Sequence, residues 1–233
     1  MEQKSRIIGM LLFDNLTQLD LTGPYEVFAR LPNTQVLLIA DRKRGVKSDS
    51  GMVIYADTAY RTCPPLDIIC VPGGPGVGDA MTNKTLLNFL KKQAKTADYI
   101  TSVCTGALVL GAAGILRGYR ATTHWLSLDL LALFPDVTVD NQRVVIDRNR
   151  ITGGGVTAGI DFGLTLAAKL YGDNIAKEIQ LMMEYNPQPP FNCGAPETAD
   201  KAIIDNAMPK WEAVRQNRRV IIEGIVSSKS FHS

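Results

Sequence analysis

Of the four cysteines in the chain, one stands where a thiol could do chemistry. In Tyr99-Ile100-Thr101-Ser102-Val103-Cys104-Thr105-Gly106-Ala107, a strand-like run gives way to a helical run across Cys104 itself. A strand–turn–helix of this kind thrusts the turn side chain out at the carboxyl end of its strand, as in a nucleophile elbow. Gly106 and Ala107 are small, as close strand–helix packing requires. The helix N-terminus is expected to favour thiolate over thiol at Cys104. The N–H of Thr105, uncommitted in the first turn, would face an anion developing beside the sulfur. Cys63, beside Pro64-Pro65, and Cys70, inside a strand, read as inert thiols, and Cys193 lies in a loop with its role open.

Two further stretches could converge on that thiol. Val71-Pro72-Gly73-Gly74-Pro75-Gly76-Val77-Gly78 follows a buried strand, and its glycines let backbone approach a ligand closely. The N–H of Gly74 is the candidate second oxyanion donor. A dinucleotide fingerprint is the weaker reading, since the glycines do not fall in GxGxxG order, and a plain turn is the third. Asp20, in Gln18-Leu19-Asp20-Leu21-Thr22-Gly23-Pro24, is either the N-cap of a helix or an acidic catalytic partner. Glu26, further into that helix, reads as solvated. His124 closes a short strand; it either looks into the same cleft or packs beside Trp125. His232 lies in the tail with no partner pattern.

The elements that must position these residues alternate. Strands are expected at Arg6–Phe13, Gln35–Ala40, Gly51–Tyr55, Leu66–Val71, Asp98–Val103, Arg120–Thr123 and a run ending at 151–155, with a hairpin-like pair at Val137–Val139 and Val144–Ile146. Helices are expected at Leu21–Leu31, Lys84–Ala97, Thr105–Leu116, Leu126–Phe134, Ala158–Tyr171 and, from an Asp173 cap, 173–185. Apolar strands alternating with helices argue for a mostly parallel sheet covered on both faces. Two glycine-bearing loops at neighbouring strand ends are where such a sheet places its site.

The chain reads as one domain over 1–233, its core at about 5–185. Four prolines fall within 187–196 and exclude a helix or a central strand there. A helical arm follows at Ala199–Arg219, interrupted or restarted at Pro209, and too short to hold a core of its own. Arg215, Arg218 and Arg219 read as a solvated helix end. With 45% hydrophobic and 21% charged residues, the composition is that of a globular chain and excludes disorder. A net charge of +2 offers no broad footprint for nucleic acid or an anionic membrane. No apolar run approaches the roughly 20 residues of a membrane span, and no signal-peptide pattern opens the chain. The cysteines form no CxxC pair, and with two histidines they complete no zinc site of usual spacing, so a reduced, cytoplasmic chain is expected.

With Asp20, Gly73-Gly74, Cys104-Thr105-Gly106 and Thr122-Thr123-His124 assembled, the chain resembles the ThiJ/PfpI superfamily, and within it the isocyanide hydratase branch. Cys63-Pro64-Pro65-Leu66-Asp67, Arg120-Ala121-Thr122-Thr123-His124-Trp125, Gly153-Gly154-Gly155, Thr157-Ala158-Gly159-Ile160-Asp161-Phe162 and Pro189-Pro190-Phe191-Asn192 also carry the resemblance. It implies a flavodoxin-like α/β fold, similar to class I glutamine amidotransferases. It implies Cys104 as nucleophile and Asp20 as the acid hydrogen-bonded to its sulfur. Thr105 replaces the histidine of the protease-like branch, which argues against proteolysis. Thr105, Thr123, His124 and Gly74 would contact substrate or water, and Asp161 would be structural or supporting. The resemblance further implies a homodimer acting on a small molecule, with no metal or organic cofactor. The expected reaction hydrates an isocyanide to an N-substituted formamide through a cysteine-bound thioimidate. The rival expectations are a glyoxalase or deglycase using His124, a cysteine redox sensor, and the ligand-binding half of a regulator.

Overall fold

The continuous apolar runs become the inner strands of one sheet, because each is covered from both sides. Residues 4–228 are described by a computed structural model, and His232 lies outside them. β1 (Arg6–Leu11), α1 (Gln18–Phe28) and β2 (Thr34–Ala40) open the fold. Three short strands follow: β3 (Gly45–Lys47), β4 (Val53–Tyr55) and β5 (Thr58–Ala59). The central part comprises β6 (Ile68–Val71), α2 (Val77–Thr82), α3 (Lys84–Gln93), β7 (Tyr99–Val103) and α4 (Gly106–Ala112). Then come β8 (Tyr119–Ala121), α5 (Leu128–Leu131), β9 (Val137–Val139), β10 (Val144–Asp147) and β11 (Arg150–Gly153). Three helices close the chain: α6 (Ala158–Tyr171), α7 (Asp173–Met182) and α8 (Lys201–Val226).

The main sheet has seven strands in the order β10-β11-β7-β6-β1-β2-β5. All its pairings are parallel except β10 with β11 at one edge. α1 packs on α6 and α6 on α7, while α2, α4, α5 and α8 pack on one another. The result is an open, flavodoxin-like α/β sheet with helices on both faces. β1 has β2 on one side and β6 on the other, so the winding reverses there, and a crevice opens at the carboxyl ends of the strands. The loops after β1, β6 and β7 all end at that crevice.

Several elements differ from the sequence expectation. The runs at Val137–Val139 and Val144–Asp147 do not form a hairpin: β9 pairs in parallel with β8, and β10 with β11. Gly51–Tyr55 contributes β4, whose partner β3 carries too few apolar residues to stand out. Leu126–Phe134 is a 3-10 turn at Trp125–Ser127 followed by the single turn of α5. Asp173 lies inside α7, whose cap is Gly172 at φ +85°. α8 runs unbroken through Pro209, packed on α2, α4 and α5 of its own chain.

Candidate active site

Cys104 follows β7 with a left-handed backbone, φ +55°, a conformation that costs a non-glycine residue about 1 kcal/mol or more. Neighbouring backbone holds it there. Its N–H donates to the carbonyls of Gly153 (3.0 Å) and Gly154 (2.8 Å), and its own carbonyl accepts from Thr123 Oγ1 (2.9 Å). Glycine at 106 is obligatory, since a Cβ there would stand 2.1 Å from the carbonyl oxygen of Val71. The turn thus pins α4 against the end of β6 and turns the thiol toward the crevice.

Asp20 enters from α1. The helix begins at Gln18, so Asp20 is its third residue and the cap reading is excluded; the cap position is Thr17. Asp20 is fully buried, and its Oδ2 accepts from the N–H of Gly73 at 2.9 Å. Gly73 must be glycine, because a Cβ would meet Thr105 N at 2.5 Å and Asp20 Oδ2 at 2.8 Å. The N–H of Gly74, at φ +131°, donates to Thr105 Oγ1 at 3.1 Å. That corrects the expectation of Gly74 as a free oxyanion donor: its N–H is already engaged. With that lone pair used, the Thr105 hydroxyl keeps its proton for a ligand.

The electrostatics couple the thiol to the carboxyl. Burial pushes Asp20 up to about 7, partly offset by the hydrogen bonds from Gly73 and Cys104. Burial, and then the charge of Asp20, push the Cys104 thiol far above its ordinary range, opposed by backbone N–H groups of Thr105 and Val156 aimed at the sulfur. The N–H groups at the helix start favour the thiolate, the direction the sequence suggests, and burial works against them. Desolvation outweighs the two N–H groups. Both groups are thereby pushed toward their protonated forms, side by side in one buried pair. Val156 is a site residue that the sequence reading missed; only its place just after the glycine-rich strand end hinted at it.

The remaining candidates are placed as follows. Thr123 supports the turn through the Cys104 carbonyl, which leaves its hydroxyl proton committed. His124 lines the cavity above Cys104, and its Nδ1 accepts from the Leu126 N–H at 3.2 Å. Burial, then the charge of Arg218, lower its pKa to about 4. His124 is therefore a neutral ring with its proton on Nε2, a donor rather than a base. Glu26 is exposed and ion-pairs with Arg30 at 2.6 Å. Asp161 stands away from the crevice, bonded to Arg143 (2.5 Å) and the Tyr185 hydroxyl (3.1 Å). Cys70 is buried, its thiol pushed up to about 12 chiefly by burial, and Cys63 donates to the carbonyl of Pro64.

The far wall of the cavity, about 240 Å³, comes from α8 through Trp211, Val214, Arg215 and Arg218. This overturns the solvated-end reading of the arginines. Arg218 is only 6% exposed and donates from Nη2 to the Gly74 carbonyl at 2.8 Å. Arg215 bonds the Leu126 carbonyl and Asp129. The available signal was spacing: Val214, Arg218, Ile222 and Ile225 recur at helical intervals on one face. Among the described residues, no group of three or more His, Cys, Asp or Glu could hold a metal ion.

The switch-point crevice and the buried thiol–carboxyl pair place the chain among open-sheet α/β proteins that present a cysteine just after a central strand. More particularly, the chain belongs to the DJ-1/PfpI family, whose pattern matches residues 6–169. It is 53% identical over 200 residues to the isonitrile hydratase of Pseudomonas putida, a match covering 86% of this chain and 87% of that one. The crystal structure of a ThiJ/PfpI family protein from Pseudomonas syringae is 39% identical and superposes with a TM-score of 0.92, covering 94% of this chain and 91% of that one. The HTH-type transcriptional regulator GbdR of Pseudomonas aeruginosa is 31% identical over 76% of this chain but only 50% of its own length.

Proposed function

We propose that the chain is an isocyanide (isonitrile) hydratase: R–N≡C + H2O → R–NH–CHO. The observation that carries this reading is the buried Cys104 thiol beside the buried Asp20 carboxyl, each acting on the other's proton affinity. The identity to an isonitrile hydratase supports it. The terminal isocyanide carbon is soft and takes a sulfur nucleophile. In the first step the Cys104 sulfur bonds to that carbon, while the thiol proton passes through Asp20 to the same carbon. The product is a thioimidate, R–N=CH–S–Cys104. Water then adds across C=N, its proton taken by Asp20, with the Thr105 hydroxyl as a donor to the water or to nitrogen. Nitrogen is protonated, the C–S bond breaks, the thiol regains a proton, and the formamide leaves. A positioned acid–base group of this kind contributes about 10²–10⁴ in rate.

A glyoxalase would need a base for protons on carbon and oxygen. His124, with Nδ1 engaged and its pKa lowered to about 4, is poorly suited to that work. A redox sensor would oxidise at Cys104 without turnover. Four free cysteines suit a reducing, cytoplasmic setting. The exposed Leu181, Met182 and Phe191 offer apolar surface for a homodimer, which sedimentation of a monomer at micromolar concentration would exclude.

The test is purified protein with an aryl isocyanide. Repeated turnover to the N-aryl formamide is expected. Efficient methylglyoxal turnover that is lost in His124→Gln, with no formamide from isocyanides, would establish the glyoxalase instead.

A further inference from the structure

Among the described residues, Arg218 is the one arginine lining the cavity whose charge has no ion-pair partner. Its neighbours on α8, Arg215 and Arg219, both ion-pair with Asp129, at 3.0 and 2.7 Å. Among the described residues Arg218 has no ion-pair partner, and its Nε is buried with no hydrogen-bond partner at all. The carboxylate nearest in role, Asp49 at the cavity rim, accepts from Thr17 Oγ1 at 2.7 Å. Burial works against the guanidinium charge, and only an ionised Cys104 sulfur would support it. Arginine is almost never fully buried unless paired. A strut between α8 and the Gly74 carbonyl needs one N–H and no charge, so the strut alone does not account for a buried guanidinium.

Resting on the hydratase reading, we infer that the substrate is a small isocyanide bearing an anionic group, a carboxylate a few bonds from the isocyanide carbon, and that Arg218 holds that group. The cavity is the right size for such a guest. At about 240 Å³ it falls below the roughly 300 Å³ at which drug-sized pockets begin. Trp211, Val214 and Leu126 wall it with apolar surface, against which an unpaired anion would bind poorly without Arg218. Cys104 and Arg218 both line this cavity. A substrate spanning the two presents its isocyanide carbon to the sulfur and its carboxylate to the guanidinium.

The experiment compares the isocyanoacetate anion with its uncharged methyl ester as substrates of the full chain. The wild type should favour the anion in kcat/KM by about tenfold or more, the size of a charge-assisted hydrogen bond, and the preference should shrink as salt rises. In Arg218→Gln the ratio of anion to ester should fall by about 10- to 100-fold, with Arg218→Lys recovering part of it. Protection of Cys104 from iodoacetamide gives a second reading without turnover: N-formylglycine should protect the wild type better than its methyl ester does, and lose that advantage in Arg218→Gln. An ester turned over as well as the anion by the wild type overturns the inference. So does an equal loss on both substrates in Arg218→Gln, which would mean that Arg218 acts through the thiol. If Arg218→Gln fails to fold, the wild-type ratio and Arg218→Lys still decide. No formamide from either isocyanide would instead defeat the hydratase reading, and the protection comparison would still judge the anion site.

Discussion

Asp20→Asn separates the role of the carboxyl in chemistry from its effect on stability, and the two should move in opposite directions. In the folded chain Asp20 titrates near 7, against 3.8 for the unexposed-to-partners carboxyl of an unfolded chain. A folded value raised above the unfolded one means that the native state holds the proton more tightly. Stability from this group is therefore fully present below pH 3.8 and is lost as pH climbs to about 7. Once the group is fully ionised, the loss amounts to about 4 kcal/mol at most. Asparagine offers the same oxygen to the Gly73 N–H and carries no charge into the core. The variant should be more stable than the wild type at pH 8, by about 1–4 kcal/mol, and nearly equal to it at pH 4. Urea unfolding at the two pH values reads this directly. Formamide production should fall by about 10²-fold or more, since no group remains to carry the proton. An Asp20→Asn protein less stable than the wild type at pH 8, with the same pH slope, would refute the buried-carboxyl argument.

Three further substitutions probe the same machinery. Cys104→Ala should abolish formamide release while circular dichroism stays native; an active Cys104→Ala enzyme would end the covalent mechanism. Gly73→Ala should cost about 1–3 kcal/mol in urea unfolding and most of the activity, because its Cβ must displace Thr105 backbone 2.5 Å away. His124→Gln should retain formamide production within about tenfold, a loss no larger than one hydrogen bond, and a complete loss would show that the ring does the proton work assigned to Asp20.

The sheet and the Cys104 turn were legible because strand and helix periodicity switch across a single residue, and small residues must follow. Asp20 was visible as a candidate, but cap and partner roles share the same sequence signature. Only the helix start at Gln18 separates them. The direction of the thiol shift was not legible, because it depends on burial from all sides rather than on the local helix. The engagement of Gly74 by the Thr105 hydroxyl joins loops 31 residues apart, beyond any local pattern. Arg218 lies still further away, 144 residues from the Gly74 carbonyl it binds. Its burial comes from the docking of α8 onto α2, α4 and α5, a tertiary fact that charge and composition do not reveal.

The docking of α8 has a consequence for how such an enzyme can diversify. The sulfur, the carboxyl and the loops that join them all lie within residues 6–169, the span the family holds in common. The wall facing them is built from residues 211–218, outside that span. On the proposed reading, reactivity rests on that span, and part of the choice of guest rests on a different stretch of chain. On that reading, substitutions at 211 and 214 in the final helix would change the guest while Cys104 and Asp20 stay as they are. Grafting a foreign final helix onto an unaltered core is accordingly the economical route to new specificity on this scaffold.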